Sequence, residues 1–242
     1  MNAVDTNRRQ RGDSTEHVIE HVRRLIASGD LHPGDRLPPE RILATQLGVS
    51  RPTVRAGLRA LSAMGVIESR HGSGTYIPSG PPRLGSEALR FLAALHGITR
   101  NEMYEARRVL EVSVAGMAAE RAAPDQLATI ADEVTSLFAA MNDPQAFLVH
   151  DIRFHRAVAV ASGNPILASL VEMVSELYYE RRRETAARAT DRNLHDAAEL
   201  HRRIYQSIRS HNVEQARSLM SEHLQHSSAF QEQEEYAEPV QG

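Results

Sequence analysis

The spacing of apolar positions divides the chain into two parts. From Ser14 to about residue 64, apolar residues recur every three or four positions, which predicts three short helices. Val18 and Val22 share one face of the first of these helices. Glycines at positions 29, 48 and 65 close the three helices, and Ser50 is expected to cap the third.

Two short strands follow the third helix, at 66–69 and 75–77, joined by a turn that contains His71 and Gly72. Two helices, a tight turn, a third helix and a hairpin in this order predict a winged helix-turn-helix domain over residues 14–78. The polar residues 1–13 are expected to be disordered, and residues 79–86 are expected to form a linker.

The rest of the chain shows helical periodicity only. Glycine, proline and asparagine separate the predicted helices, which lie at 83–96, 100–122, 124–141, 144–161, 165–188, 192–211 and 213–230. Short connections favour an antiparallel all-α helical bundle over residues 87–232, with a loose acidic tail over residues 233–242. The predicted fold class is therefore mainly α.

Composition limits the chemistry and the location of the chain. There is no cysteine, so any metal must be bound by His, Asp or Glu. Residues 1–80 contain 11 arginines and 8 acidic residues, whereas the remainder of the chain contains 17 arginines and 23 acidic residues. The excess of positive charge in the N-terminal part favours nucleic-acid binding there. No apolar run reaches about 18 residues and no secretory signal opens the chain, so we expect a cytoplasmic protein without a membrane span.

The third helix carries side chains suited to DNA. Arg51, Thr53 and Arg55 lie near its start, where recognition helices contact base edges, and Arg41 on the second helix could reach beside them. Arginine can form two hydrogen bonds to guanine, and the Ser50 and Thr53 hydroxyls can reach phosphates or bases. The composition alone is also compatible with a small helical domain whose arginine face is only solvated.

The second part contains a candidate metal site. Asp151 and His155 are four residues apart and share one helix face. His201 and His223 lie on two later helices, each near apolar positions, so the four side chains could converge in the bundle core. Three imidazoles and a carboxylate suit zinc, nickel, manganese or iron, and the sequence does not choose among them; zinc is our first expectation. A single histidine facing a core is, however, more often a packing residue than a ligand.

Two stretches resemble a known family. The first, LHPGDRLPPERILATQLGVSRPTVRAGLRALSAMGVIESRHGSGTYI, resembles the DNA-binding half of the GntR family. This resemblance implies that the DNA contacts are Arg41, Arg51, Thr53, Arg55, His71 and Gly72. The residue types themselves add Ser50 as a candidate contact, and the His71-Gly72 tip could enter the minor groove as a wing. One departure is Ala56-Gly57, where the family commonly has Glu-Ala; Gly57 should weaken the helix by about 1 kcal/mol relative to Ala.

The second resemblance covers roughly residues 83–230. The segments DIRFHRAVAVASGN and HRRIYQSIRSHNVEQARSLMSEHL resemble the metal-containing (FCD-type) ligand domain of the FadR subfamily. It implies a divalent metal held by Asp151, His155, His201 and His223.

The same resemblance implies an effector pocket. The pattern E-x-R-x-x-L-E at residues 105–111 places Arg107 in the pocket, where it could bind a small carboxylate through paired hydrogen bonds. The alternative is that Arg107 pairs with Glu111 on the helix surface. Asn164 is a second candidate ligand of the effector, or else it caps the helix that begins at Pro165.

These patterns predict a transcription regulator and not an enzyme. We expect a homodimer on a palindromic double-stranded DNA operator, a small carboxylate effector, and repression relieved by that effector. Two alternatives remain. A regulator that responds to metal alone would show DNA affinity that depends only on metal, and a metalloenzyme would turn over acids in the isolated bundle.

Overall fold

The computed structural model describes residues 3–79, 86–183, 186 and 189–236, and it divides the chain into two compact units between residues 85 and 86. The first unit contains α1 (Ala3–Ser28), α2 (Glu40–Leu47), α3 (Arg51–Ala63), β1 (Glu68–Arg70) and β2 (Gly74–Tyr76). This is the predicted winged helix-turn-helix. Of the expected linker, residues 80–85 lie outside the described residues.

The start of α1 differs from the prediction. The helix begins at Ala3, so residues 3–13, which we expected to be disordered, are helical. The prediction was wrong because it relied on apolar periodicity, which reports the packing of a helix face and not the helical preference of polar residues such as Arg and Gln.

The hairpin is also displaced from the predicted strands. β1 and β2 pair antiparallel with Ser69 opposite Thr75. Val66 instead lies in the turn after α3, where its N–H donates to the Leu61 carbonyl, and Ile67 is buried in the core. A bridge between Arg36 and Tyr76 adds the chain before α2 to the edge of the hairpin, a pairing that the sequence pattern does not indicate.

Gly57 lies where α3 crosses α1. A Cβ atom at this position would come within 2.7 Å of the Cβ and Cγ1 atoms of Val18. Real Cβ atoms do not approach carbon so closely, so the two helices can pack at this distance only because residue 57 has no side chain. The unusual glycine in the middle of α3 therefore serves the packing of the first unit.

The second unit consists of helices in the part of the chain that the structure describes. They are α4 (Ser86–His96), α5 (Arg100–Arg121), α6 (Pro124–Ala139), α7 (Pro144–Ala161), α8 (Pro165–Arg182), α9 (Asp191–Arg209) and α10 (Val213–Tyr236). The predicted all-α bundle is confirmed. α8 ends six residues before the predicted boundary, and α10 continues into the expected tail, of which residues 237–242 lie outside the described residues.

The core of the second unit is formed by α5, α6, α7, α9 and α10. Its largest buried side chains include Phe154, Ile204 and Leu224. Side-chain caps fix where the helices begin: Thr99 and Glu102 form a reciprocal capping box on α5, and Asp143 accepts two backbone hydrogen bonds at α7. Among the described helices, none combines the length and the apolar character needed to cross a membrane.

Candidate metal centre and nucleic-acid interface

The four residues predicted to bind a metal come together inside the second unit. Asp151 and His155 lie one turn apart on α7, His201 lies on α9 and His223 on α10. One potential ligand atom from each lies within 4.8 Å of those of the others, and all four residues are buried. Three helices thus deliver a carboxylate and three imidazoles to one point in the core.

The distances within this cluster are short. Nε2 of His201 lies 3.0 Å from Oδ1 of Asp151, and Nε2 of His155 lies 3.8 Å from the same oxygen. The Nε2 atoms of His155 and His223 are 3.1 Å apart. Edge-on contacts with the Phe154 ring, 4.6 Å from the His201 ring and 5.6 Å from the His155 ring, limit rotation of both imidazoles.

The outer ring nitrogens of two histidines face acceptors. Nδ1 of His201 lies 2.7 Å from the Ala197 carbonyl oxygen, and Nδ1 of His155 contacts the carboxylate of Glu111. A neutral imidazole that donates from Nδ1 presents a lone pair at Nε2, so both rings direct lone pairs towards Asp151. Such a group of lone pairs requires a positive charge, either from a proton shared within the cluster or from a bound cation, and histidines whose outer nitrogen faces an acceptor are typical of metal sites. The residues therefore fit a divalent metal.

The pKa shifts of His223 and Asp151 favour the forms of these two residues that bind metals. Burial lowers the pKa of His223 well below its ordinary value, and the neighbouring His201 and His155 lower it further. Burial alone would raise the pKa of Asp151, but its contact with His201 and the charge of the surrounding imidazoles hold that pKa well below its usual range. Neutral imidazoles and an ionised carboxylate are the states that bind divalent cations.

A small cavity opens beside the cluster. Its volume of about 30 Å³ is enough for a pair of water molecules but not for a carboxylic acid, so an effector must displace side chains. Its polar lining comes mainly from α7, α8, α9 and α10 and includes Asp151, Tyr178, Arg182, Asn193, His223, His226 and Ser227. The apolar lining includes Phe147, Leu148, Leu194 and Phe230.

Arg107 is buried but is held by Glu111. Its Nε donates to Oε1 of Glu111 over 2.6 Å, and its guanidinium carbon lies 4.1 Å from the centre of the Tyr178 ring. The ion pair between Arg107 and Glu111, which the spacing predicts on the helix surface, therefore lies in the interior of the second unit. Burial lowers the pKa of Arg107 and raises that of Glu111, but their mutual attraction outweighs it and brings the pKa of Glu111 to about 2. Tyr178 borders both the cavity and a separate crevice lined by Arg107.

Asn164 caps α8. Its Oδ1 accepts hydrogen bonds from the N–H groups of Ile166 and Leu167, at 3.1 and 3.2 Å. It is absent from the described lining of the cavity beside the metal cluster. The capping alternative is therefore what the structure shows, because the amide oxygen is used at the helix start, and the effector contact of Asn164 stays a prediction.

Sequence reasoning missed three residues around the cluster. Glu111 was interpreted only as a surface partner of Arg107, since a spacing of four on a helix gives no information about which face is buried. Tyr178 and Arg182 border the cavity, but they lie in a stretch of α8 rich in charged residues that resembles a solvated face. A helical-wheel comparison of Tyr178 with Val171 would have placed both on the buried side.

The first unit presents the predicted DNA-facing side chains on α2 and α3. Arg41, Arg51 and Arg55 are exposed, as is Ser50, whose Oγ accepts a hydrogen bond from the Thr53 N–H. The two hydroxyls of Ser50 and Thr53 lie 2.8 Å apart. Ser50 thus fixes the start of the helix that carries the arginines, as the sequence predicts.

Arg55 forms a two-point ion pair with Glu40 at the start of α2. Its Nη2 and Nε lie 2.9 and 3.2 Å from the two carboxylate oxygens. The hydrogen bond from Arg55 lowers the pKa of Glu40. Because Arg55 is half exposed, this pair holds the guanidinium in place without removing it from solvent.

The wing carries the other two predicted contacts. His71 and Gly72 are exposed at the tip between β1 and β2, and Gly72 has a φ of +69°, which favours glycine. The guanidinium carbon of Arg70 lies 4.5 Å from the centre of the Tyr76 ring, which stiffens the base of the hairpin. The tip is therefore an exposed turn whose glycine leaves the backbone accessible.

Comparison with known proteins agrees with both units. Residues 14–77 match the family described as bacterial regulatory proteins, gntR family, and residues 102–226 match the FCD domain. The HTH-type transcriptional regulator LutR of Bacillus subtilis (strain 168) is 34% identical over 206 residues, covering 83% of this chain and 93% of LutR. A putative L-lactate dehydrogenase operon regulatory protein of Escherichia coli (strain K12) is 32% identical, covering 87% of this chain and 83% of that protein.

A solved structure shows the same architecture. Streptococcus agalactiae GntR superposes with a TM-score of 0.67 at 27% identity, covering 89% of this chain and 99% of that one. With a winged helix-turn-helix in the first unit and an FCD domain in the second, the chain belongs to the GntR family of bacterial regulatory proteins and is a DNA-binding transcription regulator.

Proposed function

We propose that this regulator is a homodimeric repressor whose binding to a palindromic operator is controlled by a small organic acid bound beside a divalent metal. The observation that carries the proposal is the buried convergence of three imidazoles and the Asp151 carboxylate, with their ligand atoms turned towards one another next to a cavity. Asp151, His155, His201 and His223 would hold the metal, with zinc preferred over nickel, manganese and iron.

The metal would supply a positive charge and an open coordination position for an oxygen of the acid. The chain itself supplies a second cation for a carboxylate. Arg107, which is buried beside the cluster, is the proposed partner of the carboxylate. To bind the acid, Arg107 must first release its hydrogen bond to Glu111. Arg182 lines the cavity directly and is a further candidate.

In the first unit, the proposed DNA contacts lie on α3, on α2 and at the wing. They are Arg41, Ser50, Arg51, Thr53, Arg55, His71 and Gly72. Arg51 and Arg55 are exposed on the first turns of α3, where two hydrogen bonds to a guanine edge are within the reach of arginine. In a dimer, two such helices would address half-sites one helical turn apart.

The relatives support the effector class and the direction of control. One similar protein is named for an L-lactate dehydrogenase operon, and another, NanR of Klebsiella aerogenes, is named a transcriptional repressor. A hydroxy, keto or sugar acid is therefore the proposed effector. A regulator that senses the metal alone is the second candidate, and the small volume of the cavity favours it.

A thermal-shift screen of L-lactate, pyruvate and D-gluconate, with and without chelator, tests the proposal. An acid at about 100 times its dissociation constant adds roughly 2.7 kcal/mol to stability, which raises the melting temperature by several degrees. We expect one acid class to produce a shift that chelator abolishes, and to release operator DNA in a gel-shift assay. If chelator lowers the melting temperature and no acid raises it, the metal-only regulator is favoured.

A further inference from the structure

The carboxylate of Glu111 joins Arg107 to the predicted metal ligands. Glu111 lies on α5, which contributes none of the four predicted ligands, and it is only 2% exposed. One carboxylate oxygen accepts the Nε–H of Arg107 at 2.6 Å, and the other contacts Nδ1 of His155. A single buried group thus bridges a cation on its own helix and an imidazole on α7.

The contact with Glu111 favours the tautomer of His155 that carries its proton on Nδ1. An imidazole that faces a carboxylate through Nδ1 keeps its proton there, and this leaves the lone pair on Nε2. Nε2 of His155 faces Nε2 of His223 at 3.1 Å and Oδ1 of Asp151 at 3.8 Å, which is the side on which the cluster converges. Without Glu111, the Nε2–H form would direct a proton at the place where a metal belongs.

Arg107 in turn holds Glu111. A buried carboxylate requires a compensating charge, and the guanidinium provides it through the short Nε contact. The Tyr178 ring covers the guanidinium at 4.1 Å, and the Tyr178 hydroxyl lies 2.9 Å from Oγ of Ser227 on α10. Both oxygens of the Glu111 carboxylate therefore have a partner: Arg107 contacts one, and His155 contacts the other.

We propose that Glu111 is a positioning residue of the metal centre: its carboxylate orients His155 so that Nε2 faces the metal, and Arg107 locks that carboxylate. The proposal rests on the proposed metal site and adds to it a fifth residue that does not touch the metal. It also assigns Arg107 a role in metal binding, separate from any contact with an effector.

The first test measures zinc affinity by competition with a chromophoric chelator. In the Glu111→Gln variant, His155 has no anionic acceptor at Nδ1. Zinc affinity should therefore fall about 10- to 100-fold, which is the usual loss when such a partner of a ligating histidine is removed. Glu133→Gln is the matched control, because Glu133 makes the same kind of contact, at 2.8 Å, with Nδ1 of His150 on α7 but outside the cluster. The control should bind zinc like the wild type.

The result separates this proposal from the one on which it rests. A wild type that binds no zinc would refute the metal site itself, whereas a wild type and a Glu111→Gln variant that bind zinc equally well would overturn only the positioning role. Equal losses in Glu111→Gln and Glu133→Gln would also overturn it.

The second test needs no variant, since Glu111→Gln leaves a buried Arg107 charge and can prevent folding. Long-range ¹⁵N–¹H correlation spectra of the metal-free wild type report the tautomer of each histidine. We expect His155 to carry its proton on Nδ1, which is the minor form of a free imidazole. A signal from the Nε2–H form of His155 would overturn the proposal.

Discussion

The Nε2 atoms of His155 and His223 lie 3.1 Å apart, although 68 positions separate the two residues in the sequence. Neither ring is isolated in the core. His155 meets Glu111 through its other nitrogen, and the His201 ring lies 4.2 Å from that of His223. Packing of α7, α9 and α10 has therefore created a group of mutually facing nitrogens beside a carboxylate, which is a set of groups compatible with a metal site.

His201→Ala should greatly reduce the metal content of the purified protein. The change removes the nitrogen that lies 3.0 Å from Asp151 and leaves two imidazoles and one carboxylate. Zinc measured by elemental analysis after dialysis should fall well below one ion per chain. His150→Ala, on α7 but outside the cluster, should retain wild-type content. Unchanged zinc in His201→Ala would exclude that residue from the site.

Arg51→Ala should abolish specific DNA binding while leaving effector and metal binding intact. Arg51 is exposed on the first turn of α3, and losing a two-bond contact to guanine weakens binding by about 1 to 3 kcal/mol for each half-site. Fluorescence anisotropy with operator and scrambled DNA measures the effect. Arg108→Ala removes the same charge from an exposed position on α5 and should bind DNA normally. Operator binding that survives Arg51→Ala would refute the recognition-helix assignment.

Glu40→Gln should strengthen DNA binding. Arg55 must leave its ion pair with Glu40, or share it, before its guanidinium can reach a base or a phosphate. Neutralising Glu40 weakens this competition and removes one negative charge from the interface, so affinity at low salt should rise several-fold.

The control for this change is Glu68→Gln, which releases Arg70 from an exposed ion pair on the hairpin. It should have a smaller effect, because Arg70 remains stacked on the Tyr76 ring. Weaker operator binding by Glu40→Gln would indicate instead that the ion pair holds Arg55 in its binding position.

Gly57→Ala should destabilise the first unit despite the higher helical preference of alanine. The gain in helical preference is about 1 kcal/mol, whereas forcing a methyl group into a filled space opposes it with roughly 1 to 3 kcal/mol. Thermal unfolding followed by circular dichroism measures the difference.

Val18→Ala provides a partial rescue, since it removes Cγ1, one of the two Val18 atoms that the new methyl group would meet. The double variant should be more stable than the sum of the two single losses predicts. Additive losses would show that the contact between α1 and α3 is not what requires glycine at position 57.

The helices of the second unit could be predicted from the sequence because their breaks are chemically marked. Pro124, Pro144 and Pro165 each occupy a first helical turn, and the helix bounds follow them closely. The hairpin could not be placed as well, because Val66 and Ile67 have strand-like side chains, but Val66 lies in the turn after α3 and Ile67 is buried in the core.

The candidate metal site was predictable for a different reason. Asp151 and His155 share a face by spacing, but only the family resemblance linked them to His201 and His223 on distant helices. Glu111 shows where that reasoning stops. Its distance of four residues from Arg107 fits an exposed pair and a buried one equally well, and the contact with His155 depends on how α5 packs against α7.

The four candidate ligands all lie within helices, and none lies in a connecting loop of the described chain. Loop sequences can therefore be rebuilt without changing the inner geometry of the site. The turn at Gly97, between α4 and α5, has open space around it and is a suitable insertion point for a circularly permuted fluorescent protein. In that form the bundle would serve as a genetically encoded biosensor, and a change in emission would report occupancy in living cells.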